Sequence, residues 1–251
     1  MKKVAIQGLG FVGSAMATVV SSIFDSSNNP KFQVVGIDLN NHAGLKRIDC
    51  INKGEFPFET NDKILKSELR AAVDRGNLIA TTDYNEFIDS EIILISINCD
   101  LKQINGFQSI DFESFTDSVK LLSQKISENT LVIIESTVPP GTCENIILPI
   151  FQSSFKERGL DIKRFFLAHS YERVMPGSNY FNSIINFWRV YAGINSESED
   201  RCEKFLSDII NIKQYPLTKL KNIVSSEIGK VLENSYRAVN IAFIEEWGRF
   251  A

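Results

Sequence analysis

The sequence predicts a doubly wound α/β fold with a mainly parallel sheet, followed by a long C-terminal helix. Three observations predict it. Short β-branched runs alternate with longer segments of helical period. Two of those runs, 91–97 and 131–135, are almost continuously aliphatic, as strands covered on both faces must be. A glycine-spaced turn, Gly8-Leu9-Gly10-Phe11-Val12-Gly13, joins the first strand directly to the first helix.

Residues 4–7 read as the first strand, and 14–24 as a helix opening behind the glycines. The turn cluster Asp25-Ser26-Ser27-Asn28-Asn29-Pro30 then leads into a second strand over 32–38. A helix is expected over 61–75 by composition, a short strand over 78–81, the buried strand 91–97, a helix over 112–127 and the buried strand 131–135. Strands over 165–169 and 189–192 and a helix over 198–210 follow. Pro216 marks a break. From 225 onward Ile228, Val231, Leu232, Tyr236, Val239, Ala242 and Phe243 recur near a 3.6-residue period, which predicts one continuous helix. The expected division is a nucleotide-binding domain over 1–216 and the start of a helical unit over 217–251.

With 43% hydrophobic and 23% charged residues, the 251-residue chain can bury a core without a disulfide or metal staple. A formal charge of −4 argues against a dedicated nucleic-acid binder, which would show a basic face. No apolar run approaches the roughly 20 residues of a membrane helix. Met1-Lys2-Lys3-Val4 is followed by no small-residue cleavage site, so a cytoplasmic, unprocessed protein is expected. Cys50, Cys99, Cys143 and Cys202 are scattered, and only His42 and His169 could join them. No metal site is expected from that spacing, and the cysteines of a cytosolic chain stay reduced.

The glycine spacing suits a phosphate cradle. Gly8 allows the tight turn, Gly10 lets the backbone approach a pyrophosphate, and Gly13 lets the helix pack on the strand. Phe11 and Val12 stand at the helix N-terminus, where unpaired N–H groups and a partial positive charge meet the phosphates. Asp38, at the end of the second strand, is placed to accept hydrogen bonds from the adenosine ribose, which favours NAD over NADP. The other reading of Asp38 is a turn cap. Lys46 and Arg47 are the nearby bases that could instead accommodate a 2′-phosphate.

Three further segments carry a family resemblance: Glu135-Ser136-Thr137-Val138-Pro139-Pro140-Gly141-Thr142, Tyr171-Glu172-Arg173-Val174-Met175-Pro176-Gly177, and the run from Ser226 to Ala242 containing Glu227, Lys230 and Asn234. Asn52-Lys53-Gly54 followed by Pro57 adds a fourth. With the glycine loop, these make the chain resemble the nucleotide-sugar 6-dehydrogenases of the UDP-glucose/GDP-mannose dehydrogenase family. The run from Glu233 to Ala242 is most similar to the branch acting on UDP-N-acetylhexosamines. The resemblance implies NAD-dependent oxidation of a sugar C6 alcohol to a carboxylate, in surface polysaccharide synthesis. It also implies a homodimer through the C-terminal helix.

By the same resemblance, Thr137 sits beside the nicotinamide and orders a water, and Glu172 is the acid/base. Lys230 and Asn234 stabilise charge on the sugar oxygen. Read from the residues alone, Thr137 is also a good helix cap, and Lys230 with Asn234 also fits a solvated polar face.

The chain departs from the pattern too. Tyr171 replaces a proline, Glu135 a common lysine, and Ile97-Asn98-Cys99-Asp100 an expected V-P-T-P loop; Glu245-Glu246 stands where N-E is usual. The family's glycine-rich segment with its catalytic cysteine is not found, so the expectation is an N-terminal NAD-binding part that cannot complete the oxidation alone. The alternative is a non-catalytic NAD-binding or interaction module.

Overall fold

A computed structural model describes residues 1–99, 101–104, 107–110, 112–173 and 177–251, with backbone alone over 101–104 and 107–110. Asp100 of the 97–100 loop and Val174, Met175 and Pro176 of the 171–177 segment lie outside the described residues. The chain runs β1 (Lys2–Gln7), α1 (Phe11–Ser21), β2 (Phe32–Ile37), α2 (His42–Asn52), α3 (Lys63–Arg75), β3 (Leu78–Thr81), β4 (Ile92–Ile95), β5 (Leu101–Ile104), β6 (Phe107–Ile110), α4 (Glu113–Ser123), β7 (Leu131–Ile134), α5 (Leu148–Glu157), β8 (Phe166–His169), α6 (Tyr180–Ile185), β9 (Val190–Gly193), α7 (Ser196–Ile209), β10 (Thr218–Lys219) and α8 (Ile223–Phe250).

Eight strands form one sheet in the order β10-β9-β8-β7-β4-β1-β2-β3, while β5 and β6 pair antiparallel as a separate two-stranded sheet. All neighbours in the large sheet are parallel except β8 and β9. The chain builds outward from β1 to β3 on one side, then returns to lay β4 on the other. That reversal opens a crevice outside the carboxyl ends of β1 and β4, where ligands bind in such sheets.

Apolar side chains fill both faces of the sheet. Val4, Ile6, Val34, Leu94 and Ile133 point to the layer of α1, α3 and α7, and Ala5, Val35, Ile95 and Ile134 to the layer of α4 and α5. The alternation along each strand is the two-residue period of the pleat. Helix α1 is buried from Gly13 to Ser21. Its hydroxyls avoid a desolvation cost by bonding locally: Ser14 Oγ donates to Leu9 O, Thr18 Oγ1 to Ser14 O and Ser21 Oγ to Thr18 O. Asn41, Asp62, Asn195 and Asn222 cap the N-termini of α2, α3, α7 and α8 with their side chains.

The expected strands stand within a residue or two, and the mainly parallel doubly wound sheet followed by a long helix is the observed fold. Helix α1 begins at Phe11 rather than 14, and α8 at Ile223 rather than 225. Helices α2, α5 and α6 were not expected. In α2 only Gly44, Ile48 and Ile51 are buried, a stripe too thin to stand out in sequence. Helix α6 is a six-residue turn held by its neighbours.

Candidate functional site

The glycine loop has the shape a phosphate cradle needs. Gly8 adopts φ +92°, a left-handed conformation open to glycine at little cost. A Cβ on Gly13 would lie 1.8 Å from the Gly8 carbonyl oxygen, so α1 rests directly on the turn. A Cβ on Gly10 would meet nothing within 4 Å, which leaves that stretch of backbone facing open space. No side chain caps α1 and its first turn carries no acid. Its N–H groups and dipole are therefore available to an anion. Beside the loop lies a cavity of about 370 Å³ lined by Gly8, Gly10, Asp38, Arg47, Tyr84 and Ser96, among others. The groups present fit a dinucleotide.

Phe11 and Val12 turn their side chains into the core, so their contribution to a cofactor is backbone only. The Phe11 ring stacks on Tyr180 at 5.0 Å between centroids, with Phe56 and Phe58 around it. Tyr180 Oη donates to Phe11 O at 2.6 Å, which pins the loop from the side of α6.

Asp38 lies at the crevice as expected, but its carboxylate is fully engaged. It accepts from Leu9 N (3.2 Å), Leu39 N (2.8 Å), Arg47 Nε (2.7 Å) and Arg47 Nη2 (3.1 Å). A carboxylate has about four lone-pair sites, so a ribose hydroxyl must displace Arg47 to reach it. The turn-cap reading of Asp38 is seen in its bond from Leu39 N, and the same side chain lines the cavity.

A second cluster forms where the first turns of α8 dock against the end of β8. Lys230 Nζ donates to Glu172 O at 3.0 Å and lies 3.4 Å from Glu172 Oε1, both side chains being buried. The Tyr171 ring centroid is 5.2 Å from the same ammonium, a cation–π distance. Gly229 admits that ring, since a Cβ there would approach the Tyr171 hydroxyl to 3.3 Å. Arg173 pairs with Glu233 at 2.5 Å one turn further along. Glu172 and Lys230 are thus brought together. Thr137, in the loop after β7, and Asn234, one turn beyond Lys230, are exposed, and their side chains make no hydrogen bond among the described residues.

No side-chain cap bond from Thr137 is seen among the described residues, and α5 starts without a side-chain cap. Glu227, part of the motif that begins at Ser226, is fully buried and accepts from Gly141 N (2.5 Å) and Cys143 N (2.8 Å). It ties α8 to the loop that carries Thr137. His169 sits beneath, with Nδ1 2.8 Å from Ser226 Oγ and Nε2 3.4 Å from Ser136 O. Burial holds its pKa down to about 4, so the ring is neutral. Arg189 and Glu135 form a buried ion pair at the same edge of the sheet, a partnership the sequence did not signal. Burial pushes the Cys143 thiol well up and the Cys202 thiol up to about 12, so neither supplies a thiolate near neutral pH.

A glycine cradle at the switch point of a doubly wound sheet, with an acidic residue closing the second strand, defines an NAD-binding domain. The chain belongs to the UDP-glucose/GDP-mannose dehydrogenase family, whose NAD binding domain matches residues 2–210. UDP-N-acetyl-D-mannosamine dehydrogenase of Methanocaldococcus jannaschii is 28% identical over 250 residues, covering 100% of this chain and 52% of that protein. The structure of UDP-D-ManNAc dehydrogenase from Pyrococcus horikoshii superposes with a TM-score of 0.80 at 25% identity, over 97% of this chain and 52% of that one. NDP-N-acetyl-D-galactosaminuronic acid dehydrogenase from Methanosarcina mazei Go1 shares the fold with a TM-score of 0.83 at 23% identity, over 98% of this chain and 49% of that one. The chain spans about half the length of the curated relatives it matches.

Proposed function

We propose that this chain forms the NAD-binding half of a nucleotide-sugar 6-dehydrogenase, which oxidises the C6 alcohol of a UDP-N-acetylhexosamine or UDP-glucose to the uronic acid for surface polysaccharide synthesis in the cytoplasm. The observation that carries it is the buried Lys230–Glu172 contact at the carboxyl edge of the sheet that also bears the glycine cradle. NAD, when bound, supplies the hydride acceptor. The N–H groups of the loop from Gly10 to Gly13 hold the pyrophosphate, and Asp38 holds the ribose once Arg47 yields. Glu172 takes the proton from the alcohol, while the Lys230 ammonium stabilises the negative charge that develops on the sugar oxygen. Thr137 orders a water from its exposed loop, and Asn234 adds a hydrogen bond to the same oxygen.

A second copy of the chain is the proposed partner of α8. Leu232, Tyr236, Val239, Phe243, Trp247 and Phe250 are all exposed on that helix at spacings of three and four. Such a stripe is the seam of a helix pairing.

A second reading, an NAD-binding module without turnover, draws support from the inert thiols of Cys143 and Cys202. The two readings separate in one series. Calorimetry gives NAD binding to the parent chain in both. Sustained NADH formation from a UDP-sugar by the native gene product, lost in Lys230→Ala with NAD affinity kept, is the result expected of the dehydrogenase. Absence of NAD binding overturns both readings, and binding without turnover leaves the module.

A further inference from the structure

We propose that Glu135 and Arg189 are positioning residues, an ion pair that couples the floor of the cofactor loop to the segment carrying Glu172. The role of Glu172 rests on the proposed function; the coupling rests on geometry. Both residues are about 97% buried in an edge of the sheet otherwise made of Ile95, Ile134 and their neighbours. Glu135 follows β7, Arg189 precedes β9, Ser96 follows β4 and Ser170 follows β8.

On one side, Glu135 Oε2 accepts from Ser96 Oγ at 3.0 Å. Ser96 is the floor of the glycine loop: its carbonyl oxygen would be 3.0 Å from a Cβ on Gly8, and its own Cβ 3.4 Å from one on Gly13. It also lines the cofactor cavity. On the other side, Glu135 Oε1 accepts from Arg189 Nη2. The guanidinium goes on to donate from Nη2 to Ser170 O at 3.0 Å and from Nε to Ser170 Oγ at 3.2 Å. Ser170 Oγ in turn donates to Val190 O at 2.8 Å. An unbroken series of contacts therefore runs from Gly8 through Ser96, Glu135, Arg189 and Ser170 to the residues just before Glu172.

Stability does not explain the pair. Two charges withdrawn from water cost several kcal/mol each, and well-packed apolar residues of similar size often serve a core as well or better. Aliphatic side chains cannot do what these two do, which is to fix a hydroxyl rotamer under one loop and a carbonyl direction at the head of another. Neither residue lines the cavity, so both act through the residues they hold. Their effect is preorganisation, which lowers the ordering cost of binding.

The test separates positioning from folding. The double variant Glu135→Leu/Arg189→Met removes both charges together and is expected to melt near the parent, yet to bind NAD about tenfold more weakly by calorimetry. Ser96→Ala takes away one hydroxyl and is expected to weaken NAD binding about threefold, an effect that vanishes in the double-variant background because the acceptor is already gone. In the native gene product the double variant lowers kcat for a UDP-sugar while KM for that sugar stays put. NAD affinities within about twofold of the parent in both variants would overturn the proposal. If the double variant fails to fold, Ser96→Ala decides alone. A parent chain that does not bind NAD overturns the functional reading instead.

Discussion

The two ends of the chain solve opposite problems. At the β1–α1 end every side-chain hydroxyl of the buried stretch of α1 has a local partner, and the glycines leave open space only where Gly10 faces the crevice. Helix α8, about 42 Å long for 28 residues, is buried only at Ile223, Ser226, Glu227 and Lys230. Beyond those turns Leu232, Tyr236, Val239, Phe243 and Trp247 face solvent. The first region is complete by itself. The second delivers Lys230 and Glu227 to the sheet and leaves the remainder of its apolar surface unpaired. The difference teaches that the cofactor site is a property of the domain body, whereas the Lys230–Glu172 contact depends on how one helix end is anchored.

The strongest way to break the first region is Gly13→Val. With a Cβ 1.8 Å from the Gly8 carbonyl oxygen, the helix must lift off the turn. Since α1 packs against β2 and α3, that displacement reaches the core, and loss of folding or of more than about 4 kcal/mol is expected by urea unfolding. Gly10→Ala sharpens the contrast. Its Cβ meets no protein atom, so folding should be unchanged while calorimetry shows weaker NAD binding.

The junction between the two regions should respond to pH. His169 is buried against Ser226 of α8, and its pKa is held down to about 4 from the ordinary 6.5. The folded protein therefore binds fewer protons than the unfolded chain between those values, and stability rises with pH there. Its contribution is fully present above about pH 6.5 and is lost as pH falls toward about 4, the loss reaching about 2 kcal/mol at pH 5. Urea unfolding at pH 7 and pH 5 checks this against His169→Asn, whose loss of stability over the same step should be smaller by that amount. An equal loss in both would mean that the ring carries no penalty for protonation.

These regions also differ in how much of them could be read from sequence. The glycine loop and Asp38 were legible because the information is local: a strand, a turn and a helix within forty residues. Lys230 and Glu172 were legible only through a family resemblance, since nothing in their spacing says that residues 58 apart meet. Glu227, Ser96 and Arg189 escaped notice for the same reason. Their bonds span 84 to 86, 39 and 54 residues, and a lone Glu or Arg in a helix or before a strand ordinarily reads as surface. The engagement of Asp38 by Arg47 is half visible in sequence: a nearby base is plain, but not that it bonds both carboxylate oxygens, the sites the proposed ribose contact would use.

Asp38→Ala exploits that last point. It removes the proposed ribose acceptor and frees Arg47, so NAD binding should weaken about tenfold, roughly 1.4 kcal/mol, and NADP should lose less or gain. The ratio of the two affinities by calorimetry is the measurement. A variant that weakens both cofactors equally would place Asp38 in the loop's structure alone.

The smallest effect on stability should come from the far half of α8, and it carries the sharpest contrast. Replacing Val239 and Phe243 with Glu touches no packed contact of the domain, so at concentrations too low for the parent to associate the unfolding free energy should move by no more than about 0.5 kcal/mol. Burying that stripe against a second copy would bring four carboxylates into one seam, where like charges repel and desolvation is costly. Light scattering should therefore show a dimer in the parent and a monomer in the variant, with NAD affinity the same in both because the cradle lies in the domain body. If the parent is already monomeric, the stripe has another occupant; if the variant loses NAD binding as well, α8 is part of the cofactor site and the two regions are not independent.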